Sequence, residues 1–332
     1  MRFATYEDPH RHHVAVVEED GTLFPLAGVT SLTALLAETG GLPGLLAAGA
    51  AALDAPPGPH VGDVRLSPPL QPPSVRDFVT FEEHVEGVRR SVDGVAGVPE
   101  QWYAAPTFYF ANPHAIHGPG QDVPVPPGSG VLDFELEVAA VIGREGRDLT
   151  PGQARDHIVG YTVLNDWSAR DLQSAEMRVG LGPCKGKDTA TTLGPYLVTA
   201  DELEPYRDAD GFLRLALTAE VNGRVVGEDL LSRMSWTFEE MTAYASRGTR
   251  VVPGDVLGSG TCGNGGCLAE LWGRRGEQDP PPLKPGDTVT LTVEGVGTLT
   301  STVVAGTEPV PLPSGRRRRP RGARATARPA GG

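Results

Sequence analysis

The chain has 332 residues, 39% hydrophobic and 21% charged, enough to bury a large core in one domain or two; its 43 glycines and 31 prolines argue against a helical bundle and for a strand- and loop-rich architecture. Seven arginines fall between Arg316 and Arg328 with no acid among them, so the net charge of −13 understates how acidic the rest is, and that body is expected to repel nucleic acid and attract cations. Three cysteines without a CxxC pair, and no long apolar run at the N-terminus or elsewhere, imply a reduced, cytoplasmic protein with no membrane span.

Residues 1–66 read as a small N-terminal domain. Apolar residues 13–17 and 22–26 flank the turn signal Glu19-Asp20-Gly21, which predicts a hairpin, and short helices are expected over residues 31–36 and from Gly44. His10, His12 and His13 sit in a polar turn with few other ligands nearby, which favours a solvated loop over a metal tract. The proline-rich residues 67–73 lead into a second, larger unit expected over 67–309, and the Arg-rich residues 310–332 have no core pattern and are expected to be disordered. Ser74-Val75-Arg76-Asp77 predicts a helix start, with Phe78, Phe81, Val85 and Val88 at helical spacing. Asp77 and His84, nearly two turns apart, would then share one helix edge.

An aromatic strand is expected within residues 106–113. The stretch Asp133-Phe134-Glu135-Leu136-Glu137-Val138-Ala139-Ala140-Val141-Ile142 alternates acid and apolar residues and then turns wholly apolar. Read as one strand, it puts Glu135 and Glu137 on one face roughly 7 Å apart. A strand covered on both faces cannot leave such a pair unpaired, so a cation is expected there; a half-exposed strand with solvated glutamates is the other reading. Thr150-Pro151 caps a short helix reaching His157, and residues 158–164 form a second buried strand that delivers Asp166 to its end. If a helix begins at Ser168, Arg170 and Gln173 share a face.

The Gly-rich residues 180–192 are not a phosphate loop, because Lys187 is followed by Asp188; a lysine there can aim a fixed cation at a substrate oxygen. Asn222-Gly223 predicts a hairpin and residues 238–244 a helix. Residues 256–263 read as a strand running into a glycine-rich loop, Glu270 stands alone in an apolar run, and residues 289–293 and 298–304 close with a hairpin.

Asp133-Phe134-Glu135-Leu136-Glu137, then Asn165-Asp166-Trp167-Ser168-Ala169-Arg170-Asp171-Leu172-Gln173, then Gly186-Lys187 together resemble the fumarylacetoacetate hydrolase family, from about residue 74 to 304. The resemblance implies a mixed α/β, predominantly β fold: a β-roll or sandwich catalytic domain with the small N-terminal domain, in a homodimer. It implies Mg²⁺ or Ca²⁺ held by Glu135, Glu137 and Asp166, with Asp77 as a further ligand because the family's fumarylacetoacetases carry an aspartate seven residues before a histidine. It also implies His84 as general base, oriented by Glu270; Lys187, Arg170 and Gln173 around an oxyanion; and Tyr109 and Thr261 on the substrate's polar ends.

The implied reaction is hydrolysis of a carbon–carbon bond in a small-molecule diketo acid, such as fumarylacetoacetate or an acylpyruvate, as in aromatic compound catabolism. Decarboxylation, isomerisation or hydration of 2-oxo or 2-hydroxydienoic acids is the alternative. Two positions depart from the family's pattern: Met177 stands where a tyrosine is expected and Asp93 where an arginine is, although Arg89 and Arg90 are close by. Both lost groups would touch the substrate's far carboxylate, so the metal chemistry is expected to be retained while the preference for fumarylacetoacetate itself is not.

Overall fold

The computed structural model describes residues 1–317, with only the backbone described at Val92 and Asp93. Residues 305–317 carry no helix or strand and are exposed, while most of the arginine-rich tail lies outside the described residues.

The chain opens with β1 (Arg2–Glu7), β2 (His12–Val17) and β3 (Leu23–Pro25), which include the expected hairpin. Helix α1 (Leu32–Thr39) starts at Ser31, whose hydroxyl accepts the Ala34 N–H, and α2 (Leu42–Leu53) follows. Leu32, Leu35, Leu36 and Leu45 on these helices are buried. Among the described residues no single helix is long and apolar enough to cross a membrane; α1 and α2 pass that test only together, and they meet at 119°. Strand β4 (Arg65–Ser67) pairs with β1.

Where a helix start is expected at residue 74, the structure has a strand, β5 (Val75–Phe78), and α3 (Glu82–Val88) begins only at Glu82. The Ser74 hydroxyl, which would have capped a helix, donates instead to Asp255 Oδ1 at 2.8 Å. All four residues of β5 are buried between two neighbouring strands, and that packing outweighs the local helical spacing. Asp77 and His84 therefore stand on different elements, not along one helix edge.

Next come β6 (Phe108–Ala111), β7 (Ile116–His117), β8 (Val123–Pro124), β9 (Leu132–Asp133) and β10 (Leu136–Ile142). The strand expected over 133–142 is thus interrupted at Phe134 and Glu135, where the Glu135 N–H donates to the Asn165 side chain and the Leu136 N–H to the Gly266 carbonyl. After β11 (Gly146–Arg147), α4 (Pro151–Ala154) carries a full capping box between Thr150 and Gln153. Then follow β12 (Ile158–Asp166), β13 (Ser168–Ala169), α5 (Arg170–Met177), β14 (Thr191–Thr199) and α6 (Ala200–Leu203).

β15 (Ala216–Val221) and β16 (Arg224–Leu230) form the hairpin predicted at Asn222-Gly223, whose φ angles of 53° and 72° are those a type I′ turn requires. The described elements end with α7 (Phe238–Ser246), β17 (Arg250–Val251), β18 (Val256–Gly258), α8 (Leu268–Arg275), β19 (Thr288–Val293) and β20 (Gly297–Val304).

Two sheets organise this mixed α/β, strand-rich fold. The larger has eleven strands along the path β3-β2-β1-β14-β12-β10-β18-β5-β6, with β4 and β7 off it, and the smaller runs β16-β15-β19-β20-β8. Central strands β10 and β12 are buried along their whole length because both faces are covered. Val138, Ala140 and Ile142 belong to a core shared with β15, β19 and β20, whereas Ala139 and Val141 belong to one shared with Phe3, Val14, Val16 and the leucines of α1 and α2. The N-terminal segment is thus continuous with the large sheet and its core.

Candidate functional site

The register of the large sheet gathers the acidic residues at one end of its strands. Leu136 pairs with Asn165, so β10 opens beside the end of β12 that carries Asp166. Gly258 pairs with Ala139 on one side and Asp77 on the other, and Asp77 pairs with Tyr109. Asp77, Glu135 and Glu137, all buried, each offer an oxygen within 4.8 Å of the others. Gly258 is required by this close approach: a Cβ there would lie 2.8 Å from both Asp77 Oδ1 and Glu137 Oε2.

Asp166 joins this cluster through Lys187, whose ammonium donates to Glu135 and to Asp166 Oδ2, the latter at 2.5 Å. Arg170 donates to Glu135 Oε1 and Asp133 Oδ2, both at 2.7 Å, and to Gln173 Oε1 at 3.1 Å. Glu137 accepts the Gly260 N–H and the Thr261 hydroxyl, and the Tyr109 hydroxyl donates to Asp166. Tyr109 and Thr261, expected on the substrate, are thus engaged with acids of the cluster.

Electrostatics separate the four acids. Burial, and then the neighbouring Asp77, pushes Glu137 well above the carboxylate range; burial likewise raises Asp166 and Asp77. Burial opposes ionisation of Glu135 too, but Lys187 and Arg170 beside it hold its carboxyl well below the ordinary range. Asp77 Oδ1 and Asp166 Oδ1 are buried with no hydrogen-bond partner. Hard oxygen donors, buried together with unmet acceptor capacity and too little positive charge to ionise them all, fit a divalent cation such as Mg²⁺ or Ca²⁺. A second cluster, His84, Glu135 and Cys267, fits poorly: burial raises the Cys267 thiol, and its sulfur already accepts the Glu270 N–H as the N-cap of α8.

His84 is buried, and its pKa is pushed down to about 4, chiefly by burial. It is therefore uncharged at neutral pH, with Nε2 3.9 Å from Glu135 and Nδ1 3.7 Å from the sulfur of Cys267. Glu270 does not orient it as expected. Its carboxylate accepts the N–H groups of Asn264 and Gly265 at 2.9 and 3.3 Å, and among the described residues no hydrogen bond joins it to His84. The turn of residues 264–265 offers closer backbone donors; Glu270 supports α3 only by packing, and a Cβ on Gly87 would lie 2.5 Å from its Cγ.

The sequence reading missed Asp133 as a site residue. Its buried carboxylate holds Arg170 and accepts the Leu268 and Ala269 N–H groups at the start of α8. An acid two residues before Glu135 is visible in the run, but its partners at the start of α8 lie far along the chain and no local pattern shows them.

A cavity of about 390 Å³ opens onto Asp77, His84, Glu135, Glu137, Arg170 and Lys187, and Tyr109, Gln173 and Thr261 also line it. The structure thus brings all the expected site residues except Asp166 and Glu270 to one cavity, with Asp166 one lysine behind it. The Asp93 side chain lies outside what the structure describes.

Residues 74–304 match the family model described as fumarylacetoacetate (FAA) hydrolase C-terminal. Among curated relatives, the fumarylacetoacetase of Arabidopsis thaliana is 34% identical over 258 residues, covering 64% of this chain and 61% of its own, so the chain spans less than two thirds of that relative's length. An oxaloacetate tautomerase of Bacillus subtilis is 28% identical, with 73% and 74% covered. Among solved structures, a fumarylacetoacetate hydrolase from Exiguobacterium antarcticum superposes with a TM-score of 0.71 at 26% identity, covering 92% of this chain and 99% of that one. A 2-hydroxyhepta-2,4-diene-1,7-dioate isomerase from Mycobacterium marinum gives a TM-score of 0.64 at 26% identity, with 92% and 98% covered. The acid cluster, the strands that deliver it and the family match over residues 74–304 agree: the chain belongs to the fumarylacetoacetate hydrolase family, a family of enzymes.

Proposed function

We propose that the protein hydrolyses a carbon–carbon bond in a diketo acid of the acylpyruvate kind, releasing a carboxylic acid and a 2-oxo acid. The observation that carries this reading is an uncharged, buried histidine, His84, opening onto the same cavity as the oxygen-donor cluster and the cations Lys187 and Arg170. Asp77, Glu135 and Glu137, with Asp166 behind them, would hold Mg²⁺ or Ca²⁺, which when bound supplies Lewis-acid binding of the substrate's oxo-acid head.

His84 takes a proton from water as the oxygen attacks the carbonyl distal to the carboxylate. Lys187, Arg170 and Gln173 lie along the cavity wall as donors for the oxyanion that forms, Lys187 and Arg170 held by the acids they pair with and Gln173 by Arg170, which donates to its Oε1. The bond between that carbon and the adjoining methylene breaks, the methylene carbon keeps the electron pair, and the proton held by His84 is available to it. Glu270 contributes by bracing α3 and the turn at residues 264–265, not by touching the base.

The test is to incubate the purified protein and Mg²⁺ with an acylpyruvate, fumarylacetoacetate and oxaloacetate. Loss of diketone with release of a 2-oxo acid is expected; decarboxylation or tautomerisation of oxaloacetate without diketone cleavage would overturn the proposal. Glu137→Ala is expected to abolish both Mg²⁺ binding by calorimetry and turnover. His84→Ala should retain metal and lose about 100-fold or more in kcat.

A further inference from the structure

The cavity is chemically divided along its length. At its inner end stand the carboxylates, Lys187 and Arg170; its outer part is walled by carbon. Val85 and Val88 project from α3, the helix that carries His84, and Met177 closes α5, the helix that carries Arg170 and Gln173. Trp102 has one polar atom in its side chain, and that atom already donates to the Val79 carbonyl at 2.7 Å, so the indole has no donor left for a ligand. Phe108 is fixed within an aromatic group, 5.0 Å from Phe78 and 5.6 Å from Phe110 between ring centres.

Among the described residues lining the cavity, the cations are Arg89, Arg170 and Lys187. The last two are paired with acids, whereas Arg89 donates one N–H to the Gly97 carbonyl and is paired with no acid among the described residues. A ligand matching this division has a charged oxo-acid head and a tail that covers the carbon of Val85, Val88, Trp102, Phe108 and Met177.

We infer that the outer compartment selects a large apolar group, so that the preferred substrates are of the 4-aryl-2,4-dioxobutanoate class. This rests on the diketo-acid reading above. Binding strength there scales with the carbon surface the tail buries, which favours an aryl over a methyl tail.

Three probes with one 2,4-dioxo acid head separate the outcomes: 4-phenyl-2,4-dioxobutanoate, 2,4-dioxopentanoate with a methyl tail, and 4,6-dioxohept-2-enedioate with a carboxylated one. The expected kcat/KM for the phenyl compound exceeds that for each of the others by about tenfold or more. Parity between phenyl and methyl tails would overturn the inference. So would a preference for the dioate, which would make Arg89 a carboxylate receptor. Val88→Asp is expected to lower the ratio of kcat/KM for the phenyl compound to that for the methyl one. Because Val88 also packs into the core, Met177→Arg, on a residue 45% exposed, provides the second variant and should shift preference toward the dioate. If no diketone is cleaved but oxaloacetate is converted, the hydrolytic reading fails while the compartment remains testable. The phenyl compound should then inhibit oxaloacetate conversion with a Ki about tenfold or more below that of 2,4-dioxopentanoate, and equal Ki values would overturn the inference.

Discussion

At the scale of single residues, the acid cluster links stability to pH in an unusual direction. Asp77, Glu137 and Asp166 have folded-state pKa values raised above their unfolded ones, so the folded chain holds protons that the unfolded chain has released. Their contribution is favourable below the unfolded carboxylate range near pH 4 and declines as pH rises toward the raised values. Metal-stripped protein should therefore lose Tm as pH rises from about 4 through the raised values, by an amount that Glu137→Gln reduces. If the cluster holds Mg²⁺ as proposed, the Tm gain on adding it should grow over the same interval, since a dication binds carboxylates in their ionised form. A metal-free Tm that is flat or rises across that range in the wild type, or a slope unchanged in Glu137→Gln, would refute the argument.

The same residues show what the sequence revealed. Glu135 and Glu137 were legible as an acid pair beside an apolar run, but that run alone left solvated glutamates open and only the family resemblance singled the pair out. Asp166 was legible because a strand end before a helix holds a side chain at an opening. Asp133 was not, since its value depends on the Leu268 and Ala269 N–H groups, the first of them 135 positions away, which no local pattern announces.

At the scale of elements, local signals were dependable where the chain decides its own conformation. Thr150-Pro151 capped a helix and Asn222-Gly223 turned a hairpin, because both depend on backbone geometry within a few residues. Residues 74–77 read wrongly for the opposite reason. Their helical spacing is real, but β18 and β6 bury β5 between them. Helix α8 is likewise set from a distance: Asp133 anchors its first N–H groups and clamps Arg170 to it. Asp133→Ala leaves a buried guanidinium with one acid fewer and two amides unmet, and should cost about 3–5 kcal/mol in denaturant unfolding. A loss below about 1 kcal/mol would show that Glu135 alone can hold Arg170.

At the scale of the whole molecule, residues 1–66 complete the sheet that carries the site. Arg2 and Phe3 pair with Val198 and Leu197 on β14, itself the neighbour of β12, and Phe3 is fully buried in the core beneath Ala139 and Val141. A chain beginning at residue 67 exposes an edge strand and that apolar face, so it is expected to aggregate or to melt well below the intact protein. An unchanged Tm and a monodisperse profile would show that the segment is separable.

The parallel pairing of β18 with β5 has a kinetic consequence. It sets Gly258 against Asp77 across most of the chain, and the oxygen cluster exists only once that contact and the β10–β12 ladder have both formed. Such long-range closures come late and slowly in folding. A bound dication therefore has little to grip in the folding transition state and should barely alter the refolding rate. Its stabilisation should appear almost wholly as slower unfolding, so the metal lengthens the life of the native state without hastening its birth.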